Sequence, residues 1–244
     1  MTDIFDDLMA EYEQLDAVLA ALTPAQWSHP SAAGGWTVSD VVLHLAQTEE
    51  LAAASVAGDD ALFARRPPGD VDAVADELVA AQRDITPADL LARWRTAAFA
   101  TPAALRAVPH GTRLSWVAAP LSPATLATTR LAEHWAHASD ITVPLGIPYP
   151  DTARLRHIAW LGHRTLPYAF AVEGLEGGPV RCELTSPGGD LWHFGDPAAP
   201  STVTGPAADF CRVGARRLTP AGSALKATGP HGLQALAVLR NYAS

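Results

Sequence analysis

The chain has 244 residues, 48% hydrophobic and 18% charged, which is close to the usage of globular proteins and excludes bulk disorder. Its 26 acidic and 17 basic residues give a net charge of −9, which opposes binding to nucleic acid or to an anionic membrane surface. The length suits two modest domains. Two cysteines, Cys182 and Cys211, are too few for a disulfide scaffold.

The N-terminal segment MTDIFDDLMAEYEQLD is acidic, whereas a secretory signal has a basic segment followed by an apolar run. Nowhere does the sequence reach the roughly 18 consecutive apolar residues that a membrane-spanning helix needs. We therefore expect a cytoplasmic protein without a membrane partner.

The first half of the chain predicts one helix after another. An apolar stripe with steps of three and four residues runs from Phe5 to Leu22 and indicates the first helix. The second helix is predicted to begin after Thr37, which forms an approximate capping box with Asp40, and to end near Gly58. Residues 70–84 predict a third helix. A fourth is expected after Thr86-Pro87 and a fifth after Ser122-Pro123, because proline favours the first helical position.

Beyond residue 150 the pattern becomes mixed. Residues 153–170 predict one helix, and residues 178–196 predict two short strands around a Pro-Gly-Gly turn. Residues 206–217 and 231–242 predict helices, and the segment around residue 200 is expected to be a loop. The predicted organisation is a helical domain over residues 1–148 and an α/β domain over residues 149–244.

The fifth helix carries ionisable residues where a packed helix should be apolar. Spacings of four and three residues place six side chains on one face: Leu126, Arg130, Glu133, His137, Asp140 and Ile141. Inward charges are costly unless they are paired or bind a ligand. This departure from the helical pattern therefore indicates a functional site.

Glu133 and His137 are one turn apart, so their side chains can bind the same ion. His44 lies on the apolar face of the second helix and is the candidate third ligand. Two histidines and one carboxylate leave open coordination positions, as in a catalytic metal site. Zn²⁺ fits best, while Fe²⁺, Ni²⁺ and Mn²⁺ remain alternatives.

Structural explanations stand beside the metal site. Arg130 could form an ion pair with Glu133 within the helix, or it could steer a substrate carboxylate. His44 or His137 could be a hydrogen-bonded core histidine. His134 points away from Glu133 and is expected at the solvent or cleft rim.

Other residues near this face have simpler predicted roles. Asp140 is expected either to orient the His137 ring or to cap the end of the helix. Trp36 is expected to pack the start of the second helix onto the domain. His110 and Arg113 are expected at the surface, and both cysteines are expected to be buried and inert.

The segments GWTVSDVVLHLAQTEE and RLAEHWAHASDI resemble the DinB-like metal-binding superfamily, in the branch of the mycothiol-dependent maleylpyruvate isomerases. The resemblance implies an N-terminal four-helix bundle that binds a divalent metal through the positions of His44, Glu133 and His137. It also implies a C-terminal sterol-carrier-like α/β domain, which VTGPAADFCRVGARR and LKATGPHGLQALAVL resemble.

The resemblance further implies a reaction in which mycothiol, activated by the metal, isomerises or conjugates a small electrophile. In relatives an arginine of the C-terminal domain faces the metal cleft and binds an anionic substrate. Arg216 or Arg217 matches that position, with a slight preference for Arg216. Arg216 and Arg130 are the candidate catalytic residues. The alternatives are a thiol-independent metal lyase, cyclase or hydrolase of secondary metabolism, and a non-catalytic module that binds a metal or small ligand.

Overall fold

The computed structural model describes residues 3–59, 61–64, 71–117 and 119–241, which form two compact units. The first unit extends to Tyr149, and the second begins at Pro150. Together they give the chain a helical N-terminal region and a small domain with a mixed sheet. None of the described helices has the length and apolarity that crossing a membrane requires.

Four long helices pack against one another in the first unit: α3 and α1 each contact both α6 and α7. The described helices of this unit are α1 (Ile4–Leu19), α2 (Pro24–Trp27), α3 (Val38–Ala57), α4 (Ala61–Ala64), α5 (Val71–Ala80), α6 (Pro87–Ala107) and α7 (Pro123–Leu145). Their buried faces carry leucine, valine and alanine side chains, with Tyr12 and Trp94 among the largest fully buried residues. Burial of these apolar faces is the main force that holds the helices together.

The helix starts follow the sequence signals closely. The predicted capping box of α3 is present, since the Asp40 N–H donates to Thr37 Oγ1 at 3.2 Å and the Thr37 N–H donates to Asp40 Oδ2 at 2.9 Å. α3 ends at Ala57, and the φ of 72° at the following Gly58 is the left-handed conformation that glycine adopts without strain. Two other helices end earlier than predicted: α1 ends at Leu19, three residues before Leu22, and α5 ends at Ala80, four residues before residue 84. The predicted start of that second helix, residue 70, lies outside the described residues.

The second unit contains a four-stranded mixed sheet in the order β2-β1-β3-β4. Its described strands are β1 (Val180–Thr185), β2 (Leu191–Phe194), β3 (Ser201–Pro206) and β4 (Lys226–Thr228). β1 is parallel to β3 and antiparallel to β2, and β4 is antiparallel to β3. The helices are α8 (Leu155–Arg164), α9 (Leu166–Val172), α10 (Ala207–Gly214) and α11 (Gly232–Val238), with a 3₁₀ turn at Pro220–Gly222.

Two sequence expectations for this unit need correction, and one is confirmed. The single helix predicted over residues 153–170 is two helices, α8 and α9, which separate at Thr165-Leu166 with Pro167 in the first turn of α9. The loop expected around residue 200 contains the start of β3, a partly buried strand between β1 and β4. The predicted strands on either side of the Pro-Gly-Gly turn are confirmed as β1 and β2.

Candidate metal centre

Three side chains from two helices converge in the first unit. His44 lies on α3, and Glu133 and His137 lie one turn apart on α7. One potential ligand atom from each residue lies within 4.8 Å of the other two. The distance from Glu133 Oε1 is 2.9 Å to His44 Nε2 and 3.5 Å to His137 Nε2. The structure therefore brings together the three residues that the sequence selected as candidate ligands.

Regular helix geometry explains this convergence. Ser122 and Pro123 fix the start of α7, so Glu133 and His137 share one face in the middle of a long helix. On α3, His44 is flanked by the buried residues Leu43 and Leu45, which pack that helix into the unit. Because α3 contacts α7, the histidine faces the pair on the other helix.

The electrostatics of the cluster favour an ionised carboxylate. Burial raises the pKa of Glu133, but hydrogen bonds from His137 and His44 outweigh burial and hold this pKa well below its usual value. Burial lowers the pKa of His44, which keeps that ring neutral at physiological pH. A carboxylate and a neutral imidazole are the protonation states that metal binding requires.

Asp140 fixes the orientation of His137. Burial lowers the pKa of His137, but hydrogen bonds to Asp140 and Glu133 outweigh burial and raise it. The His137 Nδ1–H group donates to Asp140 Oδ2 at 2.9 Å, and this leaves Nε2 directed towards Glu133. Asp140 lies inside α7, so the alternative prediction that it caps the end of the helix is wrong. Carboxylates commonly hold metal-binding histidines in this way.

Arg130 pairs with a residue other than the one considered from the sequence. Its Nε donates to Glu49 Oε1 at 2.8 Å and its Nη2 donates to Thr48 Oγ1 at 2.7 Å, instead of forming the predicted ion pair with Glu133. Only 3% of the arginine side chain is exposed, and its guanidinium lies 5.5 Å from the centre of the Trp116 ring. This geometry favours a structural role over the predicted contact with substrate.

A buried polar network surrounds the carboxylate of Glu49. Tyr12 donates its hydroxyl to Glu49 Oε1 at 2.8 Å, while Glu49 Oε2 is buried without a hydrogen-bond partner among the described residues. His134 is fully buried and contacts Tyr12 edge to face, so the expectation that it lies at a solvent-exposed rim is wrong. On its helix, His134 faces α1 and α6, where Tyr12 and Trp94 enclose it.

Trp36 lies beside two of the candidate ligands, which the sequence does not predict. Its ring centre lies 5.2 Å from that of His44 and 6.3 Å from that of His137, with the second pair stacked. The indole Nε1–H donates to Asp76 Oδ1 at 2.7 Å, which holds the ring in place. Its position just before α3 suggested packing, but no periodicity in the sequence could show that the ring covers both histidines.

The family model for the mycothiol maleylpyruvate isomerase N-terminal domain matches residues 8–142, a range that includes the three converging residues. The chain belongs to this family.

Relatives and solved structures extend the similarity beyond that domain. Two uncharacterized proteins of Mycobacterium tuberculosis, from strains CDC 1551 and H37Rv, are each 42% identical over 214 residues, covering 84% of this chain and 81% of theirs. Crystal structures of the mycothiol-dependent maleylpyruvate isomerase and of its histidine-to-alanine mutant align with a TM-score of 0.60 and 18% identity. These alignments cover 91% of this chain and 97% of each crystallised chain, so the fold is shared across both units.

Arg216 and Arg217 lie in the second unit, beyond the family match. Both are exposed, and they line a cavity of about 280 Å³ together with Leu236 and Leu239. Arg216 follows α10 at a φ of 59°, a left-handed conformation that is unusual for a residue with a side chain. Arg217 donates from Nη1 to the carbonyl oxygen of Ala215 at 2.7 Å. The substrate-binding role of Arg216 stays a prediction.

Both cysteines are buried in the second unit. Burial raises the pKa of the Cys182 thiol to about 12 and also raises that of Cys211. Neither thiol is therefore a nucleophile at neutral pH.

Proposed function

We propose that the chain is a divalent-metal-dependent enzyme that uses a small thiol, mycothiol, to isomerise or conjugate an electrophilic molecule. The observation that carries this proposal is the convergence of His44, Glu133 and His137 within 4.8 Å. Membership of the mycothiol isomerase domain family and the shared fold of the solved isomerase support the thiol-dependent reaction class.

The donor set fits a metal with open coordination positions. Two imidazole nitrogens and one carboxylate oxygen would hold Zn²⁺, with Ni²⁺, Fe²⁺ and Mn²⁺ as alternatives. When bound, the metal would lower the pKa of a thiol placed beside it and so favour the thiolate. Glu133 supplies the charge of the site, His44 supplies a neutral nitrogen, and Asp140 holds the His137 ring in position.

The thiolate is the nucleophile of the proposed reaction. If it adds to an electron-poor double bond and is expelled after bond rotation, the net change is an isomerisation. If the new C–S bond persists and the neighbouring carbon takes a proton, the net change is S-transfer. We propose that Arg216 binds an anionic group of the substrate, as the resemblance implies.

We further propose the type of each domain and the cellular location of the protein. The packing of α1, α3, α6 and α7 supports a DinB-like four-helix bundle over residues 1–148. The mixed sheet with helices α8 to α11 supports a sterol-carrier-like domain over residues 149–244. We also propose a cytoplasmic location, because the proposed reaction needs a reduced small thiol and the cytoplasm keeps thiols reduced.

Metal content tests the proposal. Untagged wild type, His44→Ala, Glu133→Ala and His137→Ala are reconstituted with Zn²⁺, desalted and measured by plasma mass spectrometry. Ser139→Ala, on the same helix between His137 and Asp140, is the matched control. We expect about one metal per chain in wild type and control and almost none in the three ligand variants. A wild type that stays empty with zinc, nickel, manganese and iron would overturn the metalloenzyme proposal.

Activity of the metal-loaded protein tests the thiol. Electrophiles including maleylpyruvate are supplied with and without mycothiol, and we expect turnover only when the thiol is present. Turnover without thiol would instead support the alternative function, a thiol-independent metal lyase, cyclase or hydrolase. A tightly held metal that binds neither thiols nor small anions at an open coordination position would support the non-catalytic binding module.

A further inference from the structure

A cavity of about 330 Å³ in the first unit adjoins the metal centre, because His44 forms part of its wall. The other described lining residues come mainly from α3 and α5, and Val117, which precedes α7 in the sequence, is also among them. The volume lies at the lower end of the range of small-molecule pockets, ~300–1,000 Å³. A small molecule in this cavity would therefore lie beside one of the three candidate ligands.

Most of the described cavity wall is apolar. Its apolar side chains are Leu51, Val71, Val74, Ala75, Leu78 and Val117. Gln47 also lines the cavity, but its Nε2 donates to the Leu78 carbonyl oxygen at 2.8 Å, so one end of the amide is already used by the protein. Contact between this apolar surface and an alkyl or aryl group removes both from water, which lowers the free energy of the complex.

The cation among the described lining residues is neutralised. Arg93 donates from Nε and Nη2 to the two carboxylate oxygens of Glu50 at 2.6 and 2.8 Å, a bidentate pair. Its Nη1 donates to Gln82 Oε1 at 2.7 Å. A substrate carboxylate entering the cavity would have to displace Glu50 from this geometry, which is the strong form of an arginine–carboxylate contact. The cavity therefore disfavours a small dianion.

We propose that this cavity binds an alkyl or aryl group of the electrophilic substrate and places the reactive carbon beside His44. The inference rests on the proposed function and narrows it: the substrate carries an apolar body, unlike the small dicarboxylate maleylpyruvate. Any anionic group of the substrate lies outside this cavity.

The test fills the cavity while leaving the metal ligands untouched. Ala75→Trp adds an indole on the cavity side of α5, and Ala73→Trp makes the same change at an exposed position of that helix. Binding of the uncharged dye N-phenyl-1-naphthylamine is followed by fluorescence titration. We expect the Kd to rise at least tenfold in Ala75→Trp and to stay within twofold of wild type in Ala73→Trp. Equal affinity in all three proteins would overturn the proposal.

A second variant guards against misfolding of the first. Leu78→Gln puts a polar group on the cavity wall at a side chain that is 42% exposed, so the fold should tolerate it. We expect the Kd for the dye to rise several-fold with an unchanged circular dichroism spectrum. A Leu78→Gln variant that binds the dye as tightly as wild type would count against an apolar cavity.

Displacement of the dye identifies the substrate class. Ethyl cinnamate, an uncharged aryl electrophile, should displace it at a concentration at least tenfold lower than maleate, a small dicarboxylate. Maleate that competes as well as ethyl cinnamate would overturn the proposal. Zinc content is measured in the same samples: dye binding that responds to Ala75→Trp in a protein unable to hold metal would leave the cavity standing and remove the metal function.

Discussion

Trp94 donates its indole Nε1–H to the Nε2 atom of His134 at 3.1 Å, and the other ring nitrogen of His134 bonds to the Arg130 carbonyl oxygen at 2.9 Å. These partners fix one neutral tautomer, with the proton on Nδ1. Adding a second proton would set two N–H groups against each other in a fully buried place. Burial accordingly lowers the pKa of His134 from 6.5 to about 4.

This histidine should make the stability depend on pH. Between pH 6.5 and 4 the unfolded chain binds a proton at His134 that the folded chain does not, so the free energy of unfolding falls as the pH drops. Between pH 7 and 5 the expected loss is about 2 kcal/mol. Urea unfolding at both pH values should show this loss in wild type and a smaller one in His134→Gln. An identical loss in both proteins would contradict the assignment.

Glu49 should be far more important for stability than its neighbour Glu50. The Glu49 side chain is fully buried against Arg130, so Glu49→Gln leaves an uncompensated guanidinium in the interior. Breaking such a pair costs about 3–5 kcal/mol. Glu50 forms its bidentate pair with Arg93 at a partly exposed position, where water can solvate the arginine once its partner is lost, so Glu50→Gln should cost only about 1 kcal/mol. Urea unfolding measures the loss of unfolding free energy in each variant. Equal losses in Glu49→Gln and Glu50→Gln would contradict the prediction that Glu49 matters more.

Sequence reasoning succeeded where short-range chemistry decides the structure. Thr37 with Asp40, and Ser122 with Pro123, fix where α3 and α7 begin. Once both starts are set, the helical period alone places Glu133 and His137 on one face. The same reasoning could not show which residues face them across the interior, because that depends on the packing of whole helices.

The errors share this cause. The helical wheel gave the direction of His134 correctly but not its neighbours, so a core histidine was expected at a rim. Arg130 was assigned to Glu133 on its own helix, whereas its carboxylate partner comes from α3. The segment around residue 200 is predicted to be a loop, but pairing with β1 and β4 makes Ser201 the first residue of strand β3.

Asp140 should contribute to metal affinity without binding the metal itself. Asp140→Asn keeps the shape of the side chain but removes the negative charge that favours a proton on His137 Nδ1. That proton on Nδ1 is what would leave Nε2 to bind the metal. Losing such a contact typically lowers metal affinity 10–100-fold. Zinc titration against a competing chelator should show this change, with Ser139→Ala unchanged. An unaltered affinity in Asp140→Asn would remove the orienting role.

Arg216 should be a residue whose replacement stabilises the fold. Its N–H donates to the Val213 carbonyl oxygen and that of Arg217 donates to the Arg212 carbonyl oxygen, the pair of bonds that ends a helix with a left-handed residue. Glycine suits this position, so Arg216→Gly should raise the free energy of unfolding by about 1 kcal/mol.

Kinetics of the same variant test the predicted role in binding. If Arg216 holds an anionic group of the substrate, Arg216→Gly should raise KM more than it lowers kcat. Arg217→Gly is the matched control for stability only: Arg217 lacks a positive φ, so glycine there should destabilise the fold. A gain in stability with unchanged KM would leave Arg216 with no part in binding.

The state of the two cysteines matters for a protein proposed to work with a small thiol. Disulfide exchange needs a thiolate that the partner can reach, and both Cys182 and Cys211 are buried with a raised pKa. The protein should therefore not form mixed disulfides with its own co-substrate when the surroundings become oxidising. Its thiol chemistry would stay confined to the molecule it binds, and oxidative stress would limit it through the supply of reduced thiol, not through damage to the chain.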